Sequence, residues 1–115
     1  MRSQPIPPYP ELKRRPTRSF GWLDAGLLHD EWLGRLGPGP VAVLAFLALA
    51  ADRRGASFYR RESMAFALGM QRVELDRCLA RLCELGLVAQ RPWKEGLDDG
   101  VWQLLPLPKR RQQRR

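Results

Sequence analysis

Ser63-Met64-Ala65-Phe66-Ala67-Leu68-Gly69-Met70 runs directly into Gln71-Arg72-Val73-Glu74-Leu75-Asp76-Arg77-Cys78-Leu79-Ala80-Arg81-Leu82-Cys83-Glu84-Leu85, and then Gly86-Leu87-Val88. The first segment has the pattern of a short helix stopped by a glycine, the residue that most readily takes a left-handed conformation at a helix end. In the second, Leu75, Leu79, Leu82 and Leu85 recur at spacings of four, three and three, which puts them on one face of a helix over 71–85. Gln71, Arg72, Val73, Asp76, Arg77, Ala80 and Arg81 fall off that face. Gly86 stops the helix. Val88-Ala89-Gln90-Arg91-Pro92-Trp93 and Val101-Trp102-Gln103-Leu104-Leu105 are strand-like runs that bracket the polar loop from Lys94 to Gly100. The expected architecture is mainly α with a small β-hairpin, in the order helix, glycine turn, helix, hairpin. Trp102 is expected to lean inward from the second strand.

Towards the N-terminus, Ser57-Phe58-Tyr59 reads either as a short third strand beside the hairpin or as plain loop. Asp52-Arg53-Arg54-Gly55 ends an apolar run over Val41–Ala51, which is apolar almost all round and predicts a central buried helix. Gly37-Pro38-Gly39-Pro40 reads as a break before that helix, with Pro40 in its first turn. Between Phe20 and Leu36, Trp22, Leu23, Leu27, Leu28, Trp32 and Leu36 recur at helical spacings. Gly26 argues for a lead-in segment and then a helix near Asp30 to Leu36. Residues 1–19 carry Pro5, Pro7, Pro8, Pro10 and Pro16, which predicts an extended, disordered arm. The resulting division is an arm over 1–19, a winged helix-turn-helix-like domain over 20–108 and a disordered basic tail over 109–115.

A chain of 115 residues with 44% apolar residues supports one small domain plus tails. No run approaches the roughly 20 apolar residues of a membrane span, and Met1-Arg2-Ser3-Gln4-Pro5 lacks the apolar centre of a signal peptide. A cytoplasmic location is expected. Cys78 and Cys83, five apart on a helix, lie roughly 140° apart around its axis and cannot pair with each other. With His29 distant in sequence they make no convincing zinc site, so no metal or cofactor is expected. The 17 arginines against 3 lysines, with no asparagine, go with a GC-rich genome.

The net charge of +8 is unevenly spread. Residues 1–19 hold five basic residues against Glu11, and residues 109–115 hold five basic residues and no acid. Residues 20–108 hold 10 basic and 11 acidic side chains, so the domain itself is close to neutral. Lys13, Arg14, Arg15 and Arg18 in the arm, and Lys109, Arg110, Arg111, Arg114 and Arg115 in the tail, are of the kind that neutralises phosphates without reading sequence.

Met64-Ala65, Leu68-Gly69-Met70, Leu75, Leu79, Leu82 and Gly86-Leu87-Val88, followed by a hairpin, resemble the winged helix-turn-helix modules of MarR- and GntR-type regulators. They also resemble the winged helices of plasmid replication initiators and DnaD-type primosome proteins. There, Leu36-Gly37-Pro38 and Asp52-Arg53-Arg54-Gly55 match loosely the segments before the motif. The resemblance implies that the second helix of the motif enters a DNA groove. It places Gln71, Arg72, Val73, Asp76 and Arg77 at the base-contacting start of that helix, with Arg81 further along it. It places Arg91, Trp93 and Lys94 in the wing, against backbone or minor groove. Arg72 would read guanine and Gln71 adenine or phosphate. Glu74 and Asp76 on the same helix, and Glu95, Asp98 and Asp99 in the loop, oppose a strongly basic reading head.

Catalytic constellations are missing: there is no histidine pair and no Gly-rich phosphate loop, and Asp98-Asp99 reads as a solvated loop tip. The expected function is therefore binding of double-stranded DNA, in transcription control or in replication and mobile-element biology. Two rivals stand beside it. One is a winged-helix adaptor docking on a larger protein or nucleoprotein complex through its acidic helix or the Trp22/Trp32 segment. The other is an accessory subunit that tracks RNA with its arms.

Overall fold

A computed structural model describes residues 4–15, 19–92 and 99–108. Its helices are α1 (Gly26–His29), α2 (Trp32–Leu36), α3 (Pro38–Ala50), α4 (Arg61–Leu68) and α5 (Arg72–Glu84). Its strands are β1 (Ala56–Ser57), β2 (Val88–Arg91) and β3 (Val101–Leu104). The protein is thus mainly helical, with one small antiparallel sheet in the order β1-β3-β2. No helix among the described residues is long and apolar enough to cross a membrane.

The α4–α5 unit forms for the reasons visible in its glycines. Gly69 adopts a φ of 64°, and the N–H groups of Gly69 and Met70 donate to the carbonyls of Phe66 and Ala65. Gly86, at φ 80°, closes α5 in the same way, its own N–H donating to Cys83 and that of Leu87 to Leu82. Both are helix ends that satisfy the last carbonyls through a left-handed residue. On α5, Leu75, Cys78, Leu79 and Leu82 are buried, and Leu85 packs against the same core from a half-buried position. Cys78 therefore belongs to the core-facing stripe, while Cys83 is exposed.

The stripe packs chiefly on α3. The break falls at Gly37 alone, at φ 82°, between α2 and α3, and α3 starts at Pro38 rather than Val41: both prolines occupy its first turn, where missing N–H groups cost nothing. Gly39 lets α3 approach α5 closely, since a Cβ there would lie 3.0 Å from Cys78 Sγ and 3.1 Å from Glu74 Oε2. Val43, Leu44, Leu47 and Ala48 are buried, but Leu49 is exposed, so α3 is not covered all round.

Three further expectations are corrected. Residues 20–36 do not form a segment leading into one helix from Asp30. They form two short helices divided at Glu31, whose φ of 66° interrupts the chain. Leu27, Trp32 and Leu36 face the core, whereas Trp22, Leu23 and Leu28 are exposed. The third strand exists but is Ala56–Ser57, and Phe58 and Tyr59 leave the sheet, Tyr59 making an edge-to-face contact with Phe46 at 5.1 Å. Its position follows from Asp52, whose Oδ1 accepts from the N–H groups of Arg54 and Ala56 and turns the chain towards β3. Trp102 does face inward, 1% exposed.

Two glycines give opposite expectations. A Cβ at Gly21 would collide with the Ala48 carbonyl oxygen, because the chain before α1 crosses the end of α3 backbone to backbone. Gly34, on the exposed side of α2, has nothing within 4 Å. Gly21→Ala should lower the melting temperature, whereas Gly34→Ala should raise stability by about 0.4–1 kcal/mol by removing unfolded-state freedom. Leu82→Ala, at a fully buried position, should cost about 2–5 kcal/mol in chemical denaturation.

Candidate functional site

The outward side of α5 is the surface left over once its stripe is buried. Arg72, Val73, Arg77, Ala80, Arg81 and Glu84 are exposed there. Gln71 caps the helix from an extended conformation with no side-chain bond to the first turn, so it lies just before the helix rather than in it. Arg91 is the exposed last residue of β2. Lys13, Arg14 and Arg15 are exposed in a stretch without helix or strand. The expected contacts at Arg18, Trp93, Lys94, Lys109, Arg110, Arg111, Arg114 and Arg115 lie outside the described residues, as does the expected disorder of the C-terminal tail.

Each arginine of α5 has an acid of the same helix close by. Arg77 Nη1 lies 2.8 Å from Glu74 and Arg81 Nη1 lies 3.9 Å from Glu84. Arg72 Nε donates to Asp76 Oδ1 at 3.1 Å. The first two pairs are solvent-exposed and contribute little to stability, of order 0.2–1 kcal/mol each, so an approaching anion can displace their acids. The third belongs to a larger network.

At its centre is Arg61, the first residue of α4, whose side chain is only 24% exposed. Its Nη1 donates to the same Asp76 Oδ1 at 2.9 Å, and its Nε to Asp99 Oδ1 at 3.0 Å. Asp99 Oδ2 also accepts the Arg61 backbone N–H at 3.0 Å. A carboxylate 38 residues away in sequence thus caps α4, whose own N-cap residue, Arg60, makes no side-chain cap. The Arg61 guanidinium also lies 5.0 Å from the Trp102 ring centroid. Gln90 Nε2 donates to the Asp99 carbonyl at 2.9 Å, fixing the residue from the neighbouring strand.

This overturns one expectation: Asp99 is not part of a solvated loop tip, because it is held between α4 and the hairpin; its neighbour Asp98 lies outside the described residues. Asp76 stays half-exposed on the outward side of α5, but one of its carboxylate oxygens is already shared by Arg61 and Arg72. Arg61 is a residue that sequence reasoning misses. The chain shows only an arginine before a short helix, and its two acid partners sit on α5 and at the hairpin root.

Partial burial works to raise the Asp76 pKa, but hydrogen bonds from Arg72 and then Arg61, with their charges, outweigh it and hold the carboxyl below its ordinary 3.8. The same bond raises the Arg72 pKa. Burial pushes the Cys78 thiol up, with Glu74 adding to the effect, so this cysteine stays protonated and inert.

A second surface feature is an apolar groove of about 740 Å³ between the chain at 20–24, the end of α3 and the run 103–107. Phe20, Trp22 and Leu23 line one side, and Leu44, Leu87 and Leu107 contribute to its lining.

A carboxyl whose pKa is depressed on folding stabilises the folded state above its unfolded pKa and loses that contribution as pH falls through the folded value. The melting temperature should therefore fall on acidification below about pH 4, and Asp76→Asn should flatten part of that acid limb. Asp99→Ala should destabilise at neutral pH, since Arg61 would lose one of its two acid partners and α4 its cap. Thermal melts across the acid range check both expectations.

Comparison of the chain with protein-family models, with curated proteins and with solved structures found no match.

Proposed function

We propose that this protein is a winged helix-turn-helix that binds double-stranded DNA, with α5 as the helix that enters the major groove. The observation that carries the reading is the element order. Helix α3, strand β1, helix α4, a glycine turn, helix α5 and the hairpin β2–β3 follow one another, with β1 on the far side of β3. That is the order of a winged helix, in which the second helix of the motif reads base edges and the hairpin reaches the backbone. The exposed Arg72 and Val73 at the start of α5 suit guanine and the thymine methyl group.

The charge distribution divides the labour. Helix α5 carries three basic and three acidic residues, so it contributes selectivity and little general attraction. The arm and tail, each strongly basic, supply attraction to any phosphate backbone. The role would be transcription control or replication and mobile-element biology.

The second reading is a winged-helix adaptor for a protein or nucleoprotein partner. It is favoured by Phe66 on α4, 90% exposed, and Val73, 68% exposed, large apolar side chains on the outward side of the motif. Trp32 drops out of that surface because it is buried beneath Arg35, while Trp22 remains exposed beside the groove.

Selection from random duplexes tests the proposal. An enriched motif is expected, and Arg72→Ala should then cost about 1–3 kcal/mol on the selected site and far less on random duplex. No enriched motif together with a silent Arg72→Ala would favour the adaptor. Deleting 109–115 should weaken binding to every duplex and lower the salt slope by about 1 for each phosphate that the tail no longer neutralises.

A further inference from the structure

We propose that Asp76 and Arg61 are positioning residues that make Arg72 selective for a single base pair and couple that selectivity to the root of the hairpin. The inference rests on α5 reading duplex DNA and deepens that reading. Arg72 bonds Asp76 through Nε, which leaves its two terminal amino groups as the pair that can meet O6 and N7 of a guanine. An arginine side chain left to itself samples many rotamers and can settle equally on a phosphate; one held at Nε has its planar fork set before DNA arrives.

Holding Arg72 requires that Asp76 itself be held. A lone carboxylate at a DNA surface is repelled by phosphates, and a mobile one would follow Arg72 instead of orienting it. Arg61 solves both problems. It places a second positive charge on the same Asp76 oxygen at 2.9 Å, and it is anchored at Asp99 through both its side chain and its backbone N–H. Asp99 immediately precedes Gly100 and β3, and Gln90 of β2 binds its carbonyl. The chain of contacts therefore runs from the hairpin root through α4 to the fork of Arg72. Arg77 and Arg81 lack such an arrangement: each meets an acid of its own helix, Glu74 or Glu84, for which no second arginine partner is described. They suit phosphate contacts, and Arg72 suits a base.

The test uses the full chain and a duplex selected from a random pool, with a scrambled duplex as reference. In Asp76→Asn, the ratio of affinities for the two duplexes should fall about fivefold or more, with relaxation at the base pair that Arg72→Ala also relaxes. Affinity for scrambled duplex should hold or rise, because an acid has left the surface. In an Arg72→Ala background, Asp76→Asn should cause no further loss of selectivity. Arg61→Lys keeps the charge but not the fork, and should relax the same base pair while the protein stays folded by circular dichroism. In the absence of DNA, the Arg72 Nε–H signal in nitrogen-15 NMR should be protected from exchange and lose that protection in Asp76→Asn. Selectivity unchanged in both variants, or an Arg72 Nε–H that exchanges as fast as in Asp76→Asn, overturns the positioning role while leaving DNA reading intact. A wild-type selection with no enriched motif overturns the DNA reading itself and the inference with it.

Discussion

Helix α5 has to bury one face and show the other, and the way it buries the first decides most of the molecule. Leu75, Cys78, Leu79 and Leu82 are all removed from water against a core that includes Val43, Leu44 and Leu47 of α3. Each large aliphatic chain transferred from water contributes about 1.5–3 kcal/mol, which no surface pair on this protein approaches. The close approach depends on Gly39, where a side chain would meet Cys78 and Glu74. With α5 locked on α3, the hairpin follows from Gly86, and β3 can reach the short β1 that leaves α3 through the Asp52 turn. Trp102 then fills the space between sheet and helices.

Upon this apolar frame sits one polar network, built from Asp99, Arg61, Asp76 and Arg72. Its members are neither fully exposed nor fully buried, the regime in which ion pairs with good geometry hold a conformation without the full desolvation cost of the interior. Its effect is directional rather than bulk. It caps the short α4, ties the hairpin root to that cap, and joins one arginine of α5 to it where Arg77 and Arg81 each pair with an acid of their own helix. In the proposed DNA-binding role, such continuity would let the hairpin and α5 engage backbone and groove together.

The near-neutral domain and basic termini fit the same division. Under the proposed DNA-binding role, a surface whose cations are matched by acids on the same helix would discriminate more than it attracts. Attraction by arms is long-ranged and salt-sensitive, and carries no sequence information. Keeping the two on different segments lets each be tuned alone.

How much of this was legible from the chain follows from the range of the interactions involved. The α5 stripe, the glycine stops at 69 and 86, the hairpin and the inward Trp102 are written in spacing and composition, because helix periodicity and left-handed caps are local. The division of charge is likewise a property of the chain. What the tertiary structure decided is non-local. The break before α3 contracted to Gly37, and α3 starts three residues earlier than Val41, bringing Gly39 against Cys78 and Glu74 of α5. Glu31 was forced to positive φ, splitting a plausible amphipathic segment so that Leu27, Trp32 and Leu36 reach the core together. Asp99 and Arg61 met across 38 residues, and Asp76 was turned from a surface acid into the shared partner of two arginines. No periodicity encodes such a meeting, since it exists only once the hairpin has folded back onto the first turn of α4.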